Sequence, residues 1–317
     1  MKTEVKRKVK KFEPVPVSHL EKIRRRRRDR RSLMVSAPYI LWMILFTFIP
    51  LIFVVYYAFT DPSGAFTIDN IKSLLGLESG TQNVIQSGTF IRTDFIKIFW
   101  RSMWYGFVAT VVCLIIAYPT AYIISQIAEN RQQVMVTLIM LPMWMNFILR
   151  TYALMKILED TGIINTFLTK LGLPVLHMIN TPFAVILGMV YNFLPYMILP
   201  IYSVMSKMDN SLIEAAQDLG CNRMRVFLKV ILPLSMGGVV SGITMVFVPS
   251  VSTFYISQKL GGGTNEMIGD VIERTFLTET NYNVGAAISL VLMVLILICM
   301  AIMNRFSDDD SDGGIIV

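Results

Sequence analysis

Long apolar runs separated by polar stretches dominate the chain. Crossing a bilayer as a helix takes about 20 mostly apolar residues. Six runs qualify, at roughly 39–59, 102–125, 134–156, 183–205, 233–257 and 284–304. None has an Asp or Glu near its centre, as expected where lipid leaves a charge without water. Pro50, Pro119, Pro142, Pro195 and Pro249 fall inside the first five. Kinked or locally broken helices are therefore expected, with neighbours satisfying the freed carbonyls, and the sixth is expected to be straight. Between the runs, 60–101 and 157–182 predict long loops on one side of the membrane. The stretches 126–133 and 206–232 predict a short and a longer loop on the other. The fold class read from this pattern is an all-α integral membrane protein with six transmembrane helices.

Composition agrees. Of 317 residues 54% are hydrophobic and only 16% charged, with a mean hydropathy of +0.57. A soluble domain carries about a quarter charged residues, so a water-soluble enzyme is excluded. Charge then sets the orientation. Residues 1–31 hold 14 basic and 4 acidic residues, while the remainder holds 15 and 18. A body this poor in positive charge is no nucleic-acid binder, and the basic arm is read against anionic membrane lipid. Arg24 to Arg28, Arg30 and Arg31 directly precede the first run, so the positive-inside rule places both termini in the cytoplasm of a multi-pass inner membrane protein. The expected organisation is a basic tail at 1–37, a six-span domain at 38–306 and an acidic tail at 307–317. Within the last, Asp308 to Asp310 and Asp312 are expected to be disordered. Cys113 and Cys299 lie in apolar runs and Cys221 in a polar loop, which makes no disulfide framework, and the polar start predicts no cleavable signal peptide.

The loop at 206–232 is unusual for a segment facing cytoplasm. It predicts a helix, a glycine stop and a second helix. Ser211 with Glu214 three positions on fits a capping box, and Gly220 fits a left-handed stop. Leu212, Ile213, Ala215, Ala216 and Leu219 make the short helix apolar on more than one face, which implies a partner surface. The string Glu214-Ala215-Ala216, three residues including Asp218 and Leu219, Gly220, then nine residues to Val230 with Leu232-Pro233 following, resembles the EAA loop of ABC-importer permeases.

Further strings extend that resemblance over about residues 38–306. They are Pro142-Met143-Trp144-Met145-Asn146 with Leu149-Arg150, Tyr191 to Met197 with Leu199-Pro200, and Leu260-Gly261-Gly262 with Ile268 to Ile272. They are similar to the PotB-type permeases of spermidine/putrescine importers. The resemblance implies the type I (MetI-like) permease fold, with Glu214, Ala215, Ala216, Asp218, Leu219, Gly220, Leu232 and Pro233 forming a coupling helix that docks on an ATPase. It implies a PotC-type second permease, a PotA-type ATPase dimer holding ATP and Mg, and a PotD-type extracellular or periplasmic binding protein. Glu214 would either cap its helix or pair with the ATPase. A capping box and glycine stop alone account for Ser211, Glu214 and Gly220, but not for the two alanines or the spaced Leu232-Pro233.

The residues themselves offer no nucleotide loop, since Gly261-Gly262-Gly263 runs into Thr264-Asn265 without a lysine. No catalytic residue, resident cofactor or metal site is expected, so energy must come from another chain. With no carboxylate at the centre of a span, a pathway for a multivalent cation would rest on aromatic faces and polar oxygens. Candidates are Trp144 and Asn146 beside Pro142, then Asn192, Tyr196 and Ser203 along one face of the fourth run. Ser241, Thr244 and Tyr255 lie near one stripe of the fifth. Each fits helix packing or a bilayer edge as well. The outer acids Glu159, Asp160, Glu266, Asp270, Glu273 and Glu279 could meet a binding protein or attract cations, with a solvated surface the expectation for most.

Three other classes compete. A voltage-gated channel needs arginines at every third position of a span, and none has them. An intramembrane hydrolase lacks its groups, since the histidines are His19 and His177 alone. A secondary transporter fits the hydropathy, and the coupling loop argues against it. Within the permease family, amino acids, sulfate, phosphate or a metal chelate are the alternative solutes.

Overall fold

The computed structural model describes residues 36–75 and 92–312; the basic arm lies outside the described residues. Among the described residues there is helix and no strand. Five helices are long and apolar enough to cross a membrane: Ser36–Ala58, Phe95–Ser125, Pro182–Met205, Arg223–Ser252 and Tyr282–Met303. A sixth crossing requires counting Glu129–Trp144 and Phe147–Lys170 as one, although they are bent by 91°. The third run, expected at 134–156, is thus broken near its middle, as Pro142 within it led one to expect.

The chain divides into two units at Val54 and Val55. The described part of the first, residues 36–54, belongs to helix α1 (Ser36–Ala58), none of whose side chains before Ala58 is buried. Its ladder carries a π-turn at Ile44–Phe48, where the Ile49 N–H reaches Ile44 O. Pro50 follows at once and has no N–H to give, and a π-turn is one way to accommodate the lost bond.

In the second unit the elements are α2 (Asp69–Leu75), α3 (Arg92–Ser125), α4 (Glu129–Met140), α5 (Phe147–Leu158), α6 (Ile163–Lys170), α7 (Pro182–Met205), α8 (Asn210–Asp218) and α9 (Arg223–Val226). A second π-turn, Phe227–Ile231, leads into α10 (Leu232–Ser252), and α11 (Tyr255–Gly261), α12 (Ile268–Leu277) and α13 (Tyr282–Asp312) complete the unit. The loop expected at 60–101 already contains α2 and the start of α3. The last helix runs on to Asp312 where a disordered tail was expected, because no helix breaker stands before Gly313-Gly314.

Helices α3, α7 and α10 make the centre. Ala109, Cys113, Ala117 and Ala121 recur every fourth residue on α3 and are all fully buried. Gly238 and Gly242 make the same small stripe on α10. A Cβ on Gly238 would stand 2.9 Å from Pro200 O, and one on Gly242 would stand 2.7 Å from Met197 Sδ on α7. Small residues let membrane helices approach at backbone distance, where dispersion replaces the missing hydrophobic drive. Pro119, Pro195, Pro200 and Pro249 lie inside helices that continue through them; the expected break occurs only at Pro142.

That break has a local cause. Pro142 begins a 3-10 turn, Leu141–Trp144, after which Met145 and Asn146 are extended. The Asn146 side chain then accepts the Ile148 N–H at 2.8 Å, which is N-cap chemistry and starts α5 afresh. The fifth run is also shorter than expected, because α10 ends at Ser252 and Tyr255 belongs to a separate helix.

The end of the unit opposite α8 is tied by side chains. Arg101 donates through Nε (2.8 Å) and NH2 to Glu266 O, and through NH1 to Thr264 O. Ser102 Oγ accepts the Ile268 N–H at 2.7 Å, and Tyr105 donates to Asn265 Oδ1 at 3.1 Å. Gly269 approaches so closely that a Cβ would stand 2.5 Å from Ser252 O. Asn70 and Asn283 each donate to Thr60 O, at 2.9 and 2.6 Å, satisfying a carbonyl that the end of α1 leaves open.

Candidate coupling loop, pathway and outer pocket

The predicted helix, glycine stop and second helix at 206–232 are present. The cap differs: Asp209, not Ser211, is the N-cap, and its carboxylate accepts the Ser211 N–H at 2.9 Å. Aspartate does this at least as well as serine, which places the helix start at Asn210, two residues earlier than the capping box would. That backbone bond, with the Ser211 side chain, holds the Asp209 carboxyl below its ordinary value. Gly220 has φ +81°, with no neighbour within 4 Å of where a Cβ would stand, so the backbone conformation alone demands glycine. Asn222 caps α9 by accepting the Arg225 N–H at 2.9 Å.

Two sides of α8 differ. Ile213 and Ala216 pack against the buried core. Leu212, Glu214, Ala215, Asp218 and Leu219 are exposed, Leu219 by 87%, and Met224 beyond the stop is 64% exposed. Leu232 is half-buried and Pro233 exposed at the start of α10. Pro233 has no N–H for the Lys229 carbonyl, and the preceding π-turn bonds Leu232 N–H to Phe227 O instead.

The pathway candidates scatter. Asn192 is fully buried and committed: its Oδ1 accepts Arg150 Nε at 2.7 Å, and its Nδ2 donates to Gly188 O at 2.8 Å. Tyr196 is exposed one turn on, and Ser203 is exposed near the end of α7. Ser241 and Thr244 donate to Gly237 O and Val240 O of their own helix, at 2.8 and 2.9 Å. Trp144 is 75% exposed at the bend, and Asn146 is the cap already described. Tyr255 lies against Phe147, ring centroids 6.2 Å apart, with Lys259 Nζ 5.7 Å from its centroid. The structure thus joins Asn192 to α5 and Tyr255 to the start of α5.

Arg150, only part of a string in the sequence, is the residue that α5 and α7 share. It is 5% exposed, donates from NH1 to Pro142 O at 3.1 Å, and lies 5.9 Å from the Phe147 centroid. A lone arginine within an apolar run was the available signal.

The outer acids are not one solvated surface. Glu159 pairs with Lys156, Asp160 with His177, and Glu266 and Glu279 with Arg274. Asp270 is buried at 6% exposure, an outright departure from the expectation. Its Oδ2 accepts the Met267 N–H at 2.6 Å, and its Oδ1 has no hydrogen-bond partner. Desolvation pushes the carboxyl up to about 6, against the pull of the Met267 N–H and the nearby Ser257 hydroxyl, and the charges of Glu266 and Glu273 add to the rise.

The family model "Binding-protein-dependent transport system inner membrane component" matches residues 131–310, from α4 to the end of α13. The chain belongs to this family. As a permease it is similar to the spermidine/putrescine transport system permease protein PotB of Haemophilus influenzae, 35% identical over 272 residues, covering 83% of this chain and 90% of the relative. The PotB of Escherichia coli K12 is 31% identical over 274 residues, covering 84% and 94%. A solved bacterial ABC transporter for the import of the acidic polysaccharide alginate shares the fold. One of its chains superposes with a TM-score of 0.73 at 16% identity, covering 91% of this permease and 99% of that chain. The fold is that of an ABC-importer permease, and the permease is a transport subunit of the inner membrane rather than an enzyme.

Proposed function

We propose that this permease carries spermidine or putrescine across the inner membrane by alternating access driven by a separate ATPase. The observation that carries the solute is 35% identity to a spermidine/putrescine permease over 272 residues, 83% of the chain. Uptake of labelled spermidine into cells lacking the gene tests it, with the chain restored and with unlabelled putrescine, amino acids, phosphate and sulfate as competitors. Rescue blocked by polyamines alone is the expected outcome. A complex that assembles with its ATPase and takes up no polyamine would overturn the solute and leave the permease.

In this reading ATP and Mg belong to a PotA-type ATPase dimer, the second half of the pore to a PotC-type permease, and solute delivery to a PotD-type binding protein. Both termini face the cytoplasm, with the basic arm against anionic lipid. The exposed Leu212, Ala215, Leu219 and Met224 would enter a groove of the ATPase, burying apolar surface worth about 25 cal/mol per Å². Movement there reaches the centre directly, because α8 lies between the end of α7 and the π-turn that leads into α10. A partner shifts access only by binding one state better than the other, and α8 is the surface on which that difference would act.

A further inference from the structure

We infer that the pocket between α11 and α12 binds an alkylammonium group, with Asp270 as the carboxylate that pairs with it. The cavity has a volume of about 280 Å³ and is lined by Ser257, Gln258, Glu266, Asp270, Glu273 and Arg274, among others. It lies outside the spans, at the end of the unit opposite α8. Two features single it out from the other acidic stretches. Asp270 is more than nine-tenths buried, and its Oδ1 has no partner. A buried carboxylate oxygen left without a donor is costly, and the charged neighbours do not relieve it. Arg274 is drawn to Glu266 at 2.7 Å and Glu279 at 3.4 Å, Gln258 donates to Glu273 at 2.8 Å, and the Ser257 hydroxyl, close enough to pull on the carboxyl, donates to Phe254 O. Arg101 is spent on the carbonyls of Thr264 and Glu266, and Lys259 lies over Tyr255.

The ligand chemistry follows from the acceptors. An ammonium head has three N–H donors, and the lining residues include the carboxyl groups of Asp270 and Glu273 and the Gln258 amide; Oδ1 of Asp270 lies beneath the cavity surface, so the ammonium pairs with it once the lining side chains move aside. A metal ion fits less well, since no three His, Cys, Asp or Glu side chains among the described residues are placed to hold one. Burial pushes the Asp270 carboxyl up, and Glu266 and Glu273 add a smaller rise of the same sign; an added cation would act against both. For the solute class, though not for the site itself, the inference rests on the polyamine reading.

The test is calorimetric binding of n-propylammonium to the assembled transporter near pH 7.5. Tetramethylammonium, a cation without N–H donors, serves as competitor. Asp270→Asn keeps an acceptor for the Met267 N–H and is expected to weaken binding at least tenfold. Glu273→Gln, which leaves that helix start untouched, is expected to weaken it several-fold, and tetramethylammonium should not compete. Wild-type affinity in both variants, no binding to the wild type, or equal competition by tetramethylammonium would overturn the site. If Asp270→Asn spares propylammonium binding and weakens docking of the binding protein, a lysine of that protein is the occupant and the free-amine site falls. Loss of propylammonium binding in Asp270→Asn, with a wild type that takes up no polyamine, would keep the site and discard the solute. Polyamine uptake with unchanged amine binding would do the reverse.

Discussion

The two ends of the α7–α10 pair are built by opposite rules. At one end α8 is fixed by its own backbone and caps, and turns Leu212, Ala215 and Leu219 outward. At the other, α11 and α12 are fixed by bonds from distant parts of the chain, Arg101, Ser102 and Tyr105 among them. The first end leaves apolar side chains uncovered, and the second, apart from the pocket at Asp270, is closed by bonds within the chain. Substitutions at the first should therefore cost transport and spare the fold, and those that remove the long-range bonds of the second should cost the fold.

The largest contrast is expected from Gly220→Pro. Proline cannot take a φ of +81° and has no N–H to give Gln217 O, a bond now 2.8 Å long. ATP-driven transport in proteoliposomes should fall about 100-fold or more while membrane insertion is unchanged; normal transport would contradict a coupling role for α8. Arg101→Ala should do the opposite. Losing three charge-assisted bonds to carbonyls is expected to cost about 2–4 kcal/mol, read by denaturant unfolding in detergent, and a shift under about 0.5 kcal/mol would remove the distinction between the ends.

The two aspartates should answer pH with opposite signs. Asp209 is depressed on folding, so its cap is fully present above the ordinary value of 3.8 and fades as pH falls below it. Asp270 is raised to about 6, so its contribution is greatest below 3.8, declines as pH rises through 6 and then stays flat. Asp270→Asn should therefore abolish that decline and raise stability at pH 7 by about 1–3 kcal/mol. An unchanged stability profile between pH 4 and 7 would show that the carboxyl is not desolvated. The smallest effect on stability should come from Leu219→Ser. Its side chain is 87% exposed, so stability should stay within about 0.5 kcal/mol, while binding-protein-stimulated ATP hydrolysis drops several-fold.

The same division governs what could be read from the sequence. The coupling loop was legible because its determinants are local: apolar spacing, a glycine stop and short caps within a dozen residues. Even there Asp209 displaced Ser211, since two residues able to cap, two positions apart, leave the start undecided by that much. The bend at 144–147 was half legible. Pro142 marked it, but Asn146 was weighed as a pathway residue when its type and place also suit an N-cap. Arg150 and Asp270 were missed for a different reason. Burial of a charge depends on which helix is folded over it: Asn192 comes 42 residues after Arg150, and α11 is turned back beside Asp270 by the glycine-rich link between α11 and α12.

The π-turn at Phe227–Ile231 puts one surplus residue into the ladder between α9 and α10. Each residue of an α-helix advances the azimuth by about 100°, so regularising the turn would spin the two ends of this linkage by that angle about a shared axis. The join is built like a screw thread with one tooth in hand: shedding that residue would turn α9 relative to α10 and leave the helix between them unbroken.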